Sequence, residues 1–78
     1  MIIEIEEEYI RLDNLLKFAG AVDTGGQAKF IVQNGEVELN GEICTQRGKK
    51  IRVGDKVKYK SLEIRVESSD NDSQETRF

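Results

Sequence analysis

Apolar and polar positions alternate near both ends of this chain and switch to a helical period between them. Ile3 and Ile5 alternate with Glu4 and Glu6, which predicts a short first strand with one buried face. Leu12, Leu15, Leu16 and Ala19 then fall at i, i+3, i+4 and i+7. This is the core stripe of an amphipathic helix that Gly20 ends as its C′ residue, with Arg11, Asn14 and Phe18 on a second face. Thr24 as N-cap with Gln27 three residues on forms a capping box. The helix it opens has the stripe Ala28, Ile31, Val32 and Gly35, the last of which closes it, and a separate column of Gly26, Lys29 and Gln33.

Strand periodicity then returns. Val37 and Leu39 alternate with Glu36 and Glu38, and Asn40-Gly41 supplies the two residues that tolerate positive φ in a type I′ turn, so a hairpin is expected. The polar, basic run Thr45-Gln46-Arg47-Gly48-Lys49-Lys50 reads as a loop. Ile51 and Val53 alternate around Arg52 as core positions, Gly54-Asp55 makes a turn, and Val57 and Tyr59 alternate with Lys56, Lys58 and Lys60. In the last strand Leu62, Ile64 and Val66 point inward and Glu63, Arg65 and Glu67 outward, so that the three lysines pair with glutamates across a hairpin. The two terminal strands should pair as well, because neither apolar face can remain in water. The order predicts an α+β domain: two short helices packed on a small, mostly antiparallel sheet. It spans residues 1–67, and an aperiodic Ser, Asp, Asn, Gln and Glu segment over 68–78 is expected to be a disordered tail.

Length and composition narrow the function. Seventy-eight residues hold one small domain and no deep substrate cavity. The single cysteine, Cys44, cannot form an internal disulfide, and with no histidine in the chain it suggests neither a metal site nor a Cys-His nucleophile. A reducing, cytoplasmic setting is expected. The N-terminus lacks the basic start and apolar run of a signal peptide, and no apolar stretch reaches membrane-spanning length, so no membrane role is expected. Gly48-Lys49-Lys50 lacks the spacing of a phosphate-binding P-loop, and Asp13, Asp23 and Asp55 sit where helix starts and turns need them. No catalytic residue, cofactor, metal ion or small-molecule substrate is expected, and the chain should be a monomer.

The net charge of -3 conceals an uneven distribution. Between residues 11 and 60 there are ten basic residues and six acids, a surplus of four; the acids concentrate at the ends, in Glu4, Glu6, Glu7 and Glu8 and again from Glu63 onward. A weakly basic middle with acidic flanks is compatible with a polyanionic partner.

Arg11-Leu12-Asp13, the helix ending at Gly20, Thr24 four residues before Ala28, Ile31, Gly35, Val37, Leu39-Asn40-Gly41 and Val53-Gly54-Asp55 together resemble the S-four domain. This is the αL RNA-binding module named for the fourth small-subunit ribosomal protein. The resemblance covers residues 10–60, and stand-alone bacterial members are the most similar in appearance. It implies a non-catalytic chain whose partner is structured RNA, ribosomal RNA first. Where the family usually has arginine after the capping residue, this chain has Gly25, which removes one implied phosphate contact.

The residues point to the same mechanism. Gly25 and Gly26 leave backbone N–H groups uncovered at the start of the second helix, where the helix dipole favours an anion, and Lys29 adds a charge one turn on. The candidate RNA surface is therefore Arg11, Asn14, Thr24, Gly25, Gly26, Gln27, Lys29, Arg47, Lys49, Lys50 and Arg52. Plainer readings stand beside these: Gly25-Gly26 as a flexible helix start, Arg11 as a partner of Asp13 or Glu8, the basic loop as solvated charge, and Phe18 and Phe30 as partly buried packing rather than base-stacking rings. The alternative function is a protein-interaction module whose acidic termini bind a basic partner such as a ribosomal protein.

Overall fold

The structure, a computed structural model, describes residues 1–69. The chain runs β1 (Ile2–Ile5), β2 (Tyr9–Arg11), α1 (Leu12–Phe18), α2 (Gly25–Gln33), β3 (Val37–Leu39), β4 (Glu42–Ile43), β5 (Lys50–Arg52), β6 (Lys56–Tyr59) and β7 (Leu62–Ser68). Five strands form one sheet in the order β1-β7-β6-β3-β4, antiparallel except for the parallel β1–β7 pair, while β2 and β5 make a separate antiparallel ribbon. The expected helices on a mostly antiparallel sheet are present. The ribbon, a second small sheet, is not among the predicted elements.

Both helices end in the same way, for the same local reason. Gly20 (φ 78°) and Gly35 (φ 79°) adopt the left-handed conformation that residues with a Cβ avoid. The amides of Gly20 and Ala21 donate to the carbonyls of Lys17 and Leu16, and those of Gly35 and Glu36 to Val32 and Ile31, giving two Schellman motifs. The buried stripes Leu12, Leu15, Leu16 and Ala28, Ile31, Val32 meet Val37, Ile51, Val57, Ile64 and Val66 in one core, joined by Ile5, Ile10 and Val22. The terminal strands pair as expected, with Ile3 opposite Val66. No helix of the described residues is long and apolar enough to cross a membrane.

Asn40 (φ 53°) and Gly41 (φ 90°) form the expected positive-φ turn between β3 and β4. Asn40 also reaches across to the turn after β5. Its Nδ2 donates to Asp55 Oδ1 at 3.0 Å, its Oδ1 accepts from the Lys56 amide at 2.9 Å, and Asp55 Oδ2 accepts from the Arg52 amide at 2.8 Å. This clasp fixes where β5 ends and β6 begins. Asp55→Ala is expected to destabilise the fold by about 1–3 kcal/mol, because it removes two hydrogen bonds, those accepted from the Arg52 amide and from Asn40 Nδ2; Asp55→Asn should cost less. Urea unfolding checks both.

Several expectations need correction. Val53, expected in the core, is 51% exposed, because β5 stops at Arg52 and Val53 enters the turn. Phe18 and Phe30, expected to be partly buried, are 71% and 66% exposed. Each lies two positions from a buried residue, Leu16 or Ala28, which at about 3.6 residues per turn is the far side of the helix. Of the three lysines expected to face glutamates, only Lys58 does, opposite Glu63; Lys56 lies opposite Arg65, and Lys60 (φ 56°) sits in the turn. β7 runs through Ser68, and the Ser69 amide donates to the Ile5 carbonyl. The rest of the expected tail lies outside the described residues.

Candidate nucleic-acid interface

The ribbon pairs Tyr9 with Arg52, Ile10 with Ile51 and Arg11 with Lys50. Side chains alternate across a strand, so Ile10 and Ile51 share one face and the other four residues share the opposite one. The isoleucines are buried and anchor the ribbon to the core. The outer face carries three cations, Arg11, Lys50 and Arg52, and one aromatic ring, which two of them flank. Lys50 Nζ lies 4.9 Å from the centre of the Tyr9 ring and the Arg52 guanidinium carbon 5.9 Å from it. At exposed sites such contacts contribute about 0.5–1 kcal/mol, enough to bias where the side chains rest without neutralising them.

The loop after β4 is tied to this face through α1. Arg11, the N-cap of α1, supplies no side-chain cap, and the helix amides donate instead to loop carbonyls, Leu12 to Lys49 at 2.9 Å and Asp13 to Arg47 at 3.0 Å. Arg47 and Lys49 are thereby brought beside Arg11. The loop backbone approaches the arginine closely, since a Cβ on Gly48 would lie 3.5 Å from Arg11 Nη2. Arg11 pairs with Asp13, as the plainer reading had it: Nε donates to Oδ1 at 3.2 Å and Nη2 to Oδ2 at 3.1 Å, while the Asn14 amide donates to the same carboxylate. The guanidinium has five N–H donors and uses two here, and its side chain is 51% exposed, so it keeps donors for an anion. Asn14 lies one residue beyond Asp13, at the exposed start of α1.

The start of α2 is a second location. Thr24 Oγ1 accepts from the Gln27 amide at 3.1 Å and Gln27 Oε1 accepts from the Asp23 amide at 2.7 Å, the complete capping box. Thr24 and Gln27 are thus occupied in holding the helix start. The amides of Gly25 and Gly26 have no hydrogen-bond partner among the described residues. A Cβ on Gly25 would meet nothing within 4 Å, and one on Gly26 only Thr24 Oγ1 at 3.8 Å. Lys29 is exposed on the next turn.

Of the eleven residues singled out in the sequence, the structure therefore gathers Arg11, Asn14, Arg47, Lys49, Lys50 and Arg52 about one surface and Thr24, Gly25, Gly26, Gln27 and Lys29 about another. No hydrogen bond or ion pair joins the two groups among the described residues. Tyr9, at the end of the ribbon opposite Arg52, is not among the eleven. The available signal is the matched alternation of Tyr9-Ile10-Arg11 and Lys50-Ile51-Arg52, an apolar residue flanked by long polar ones in both.

Comparison with known proteins places this geometry. A model of the S4 domain matches residues 3–67. The chain is 41% identical over 60 residues to the probable ribosome maturation protein RlbA of Bacillus subtilis, a match covering 77% of this chain and 84% of that one. It is 31% identical over 58 residues to the putative RNA-binding protein YbcJ of Escherichia coli, covering 74% and 83%. The solution structure of YbcJ, described as revealing an αL motif involved in RNA-binding, superposes with a TM-score of 0.62 at 26% identity over 87% of this chain and 85% of that one. With the family model spanning all nine elements but the outermost strand residues, and both helices and sheet in the αL arrangement, this chain belongs to the S4 domain family.

Proposed function

We propose that this chain binds structured RNA, with ribosomal RNA as its ligand, and leaves it chemically unchanged. It acts as a cytoplasmic monomer without cofactor or small-molecule substrate. The observation that carries this reading is the outer face of the β2–β5 ribbon, where Lys50 and Arg52 flank the Tyr9 ring, Arg11 shares the face, and the loop bonded to α1 brings Arg47 and Lys49 beside Arg11. Among the described residues the only ion pairs are Arg11–Asp13 and Arg65–Glu67, so four of these five cations are not engaged by a carboxylate. Clustered, unpaired cations on a fixed scaffold release counterions when they meet phosphates, which favours RNA of many sequences. An exposed ring among them offers a stacking surface for an unpaired base. The names of RlbA and YbcJ support the same reading.

The α2 start contributes two backbone donors and Lys29. Gly25→Arg, which places the family's usual residue where an added Cβ meets nothing within 4 Å, should tighten RNA binding by roughly twofold to tenfold, the effect of one added phosphate interaction. Its salt dependence should steepen by about one unit of slope. A direct test of the function is ultraviolet crosslinking in cells followed by sequencing of the bound RNA. Enrichment of ribosomal RNA segments is expected; recovery of proteins alone, with no RNA above control, would favour the alternative in which the acidic termini bind a basic partner.

A further inference from the structure

Among the described residues the five-stranded sheet has two open edges, and they differ. The β4 edge is two residues long, a common way of discouraging further strand pairing. The β1 edge is four residues long and, among the described residues, pairs with β7 on one side only. The Arg65 amide donates to the Met1 carbonyl and the Ser69 amide to the Ile5 carbonyl, so Met1, Ile3 and Ile5 direct their backbone groups toward β7. Alternation then turns the N–H and C=O of Ile2 and Glu4 outward, where they stand ready to extend the sheet. Along this edge runs a shallow groove lined by Ile2, Ile3, Glu4 and Phe18. Ile2 is 57% exposed, and the solvent-facing side of α1 contributes the exposed Phe18 to the same groove. β1 leads directly into the bend at residues 6–8, three exposed glutamates, none of which is ion-paired among the described residues.

We propose that the β1 edge docks an extended polypeptide segment of a basic protein, in which lysine or arginine alternates with apolar residues, by adding it to the sheet as a sixth strand. Three separate features select this occupant. The outward backbone groups of Ile2 and Glu4 require an extended chain, because only a strand presents donors and acceptors at that spacing. The Ile2–Phe18 groove takes apolar side chains. Glu4, Glu6, Glu7 and Glu8 take cations. A second copy of this chain fits less well, since it brings the same four carboxylates to the seam and like charges there are destabilising. The surface uses none of the residues assigned to RNA, so it can be occupied independently of them.

The test uses a short, end-capped peptide alternating lysine and valine, added to the whole chain in the absence of RNA. The amides of Ile2 and Glu4 should exchange quickly in the free chain and become protected when the peptide binds. Glu4→Pro removes an outward N–H while leaving the Ile3 and Ile5 bonds to β7 intact, and should weaken binding by roughly tenfold or more, against a small effect for Glu4→Gln. Replacing Glu6, Glu7 and Glu8 with lysine in the exposed bend should weaken it similarly without touching the strand. The proposal is overturned if Ile2 and Glu4 remain unprotected, if Glu4→Pro binds as the parent does, or if a glutamate-valine peptide binds equally well. Protection of these amides by concentration-dependent dimerisation, without peptide, would overturn the choice of occupant.

Discussion

Leu16→Ala is expected to lower the unfolding free energy by about 2–5 kcal/mol, the range for a large side chain removed from a packed interior. Leu16 is 0% exposed, and its carbonyl accepts the Ala21 amide in the Schellman motif that ends α1, so the cavity opens beside the turn that leads to α2. At roughly 0.05–0.15 kcal/mol per residue, a domain of this size has about 4–12 kcal/mol in all, so the decrease is a large fraction of its stability. The variant should unfold at much lower urea concentration. An unchanged urea midpoint would show that the helix-sheet core is not where the structure places it.

The second large effect concerns binding. Lys50→Glu combined with Arg52→Glu should weaken binding to a structured ribosomal RNA fragment by roughly tenfold to a hundredfold, about 1 kcal/mol or somewhat more for each cation reversed. It should also flatten the plot of log affinity against log salt by about two units of slope, one for each phosphate no longer neutralised. Both side chains project from the ribbon face opposite Ile10 and Ile51, so the core is untouched and the variant should fold as the parent does. The weakening should be similar across RNA sequences, because phosphate interactions position without specifying. Tyr9→Leu keeps the strand and both cations but removes the ring. It should reduce affinity without changing the salt slope, which separates stacking from charge.

How much of this is legible in the sequence depends on how local the cause is. The helices and the Asn40-Gly41 hairpin rest on short-range signals: an i, i+3, i+4 stripe, a capping box, a glycine after the last turn, a pair of residues suited to positive φ. All appear in the structure. The β2–β5 ribbon rests on pairing between segments about forty residues apart, each only three residues long, and β2 follows directly on a run of glutamates that hides its alternation. The Asn40–Asp55 clasp is similarly non-local, although both residues belong to the motifs that carry the family resemblance. Their side chains are occupied in joining two turns, so these motifs mark the scaffold more than the binding surface. Val53 departs from expectation because alternation alone does not say where a strand stops. Phe18 and Phe30 depart from it because aromatic character suggests packing where the helical angle points to solvent.

Among the candidate site residues, the basic loop and Arg11 are legible as charge, but their convergence is not. It depends on loop carbonyls capping α1, a device with no side-chain signal. Arg11 does two things at once, pairing with Asp13 and lying beside Gly48, and only the pairing is foreseeable, as one of the plainer alternatives.

The central claim is that RNA meets the outer face of the β2–β5 ribbon, and the most direct measurement is nuclear magnetic resonance of the isotope-labelled chain titrated with a structured ribosomal RNA fragment at moderate salt. The amide resonances of Tyr9, Arg11, Asn14, Lys49, Lys50 and Arg52 should move together and saturably, with smaller changes at Gly25 and Gly26. Shifts confined to β1 and the bend at residues 6–8, or no saturable shifts at all, would contradict it.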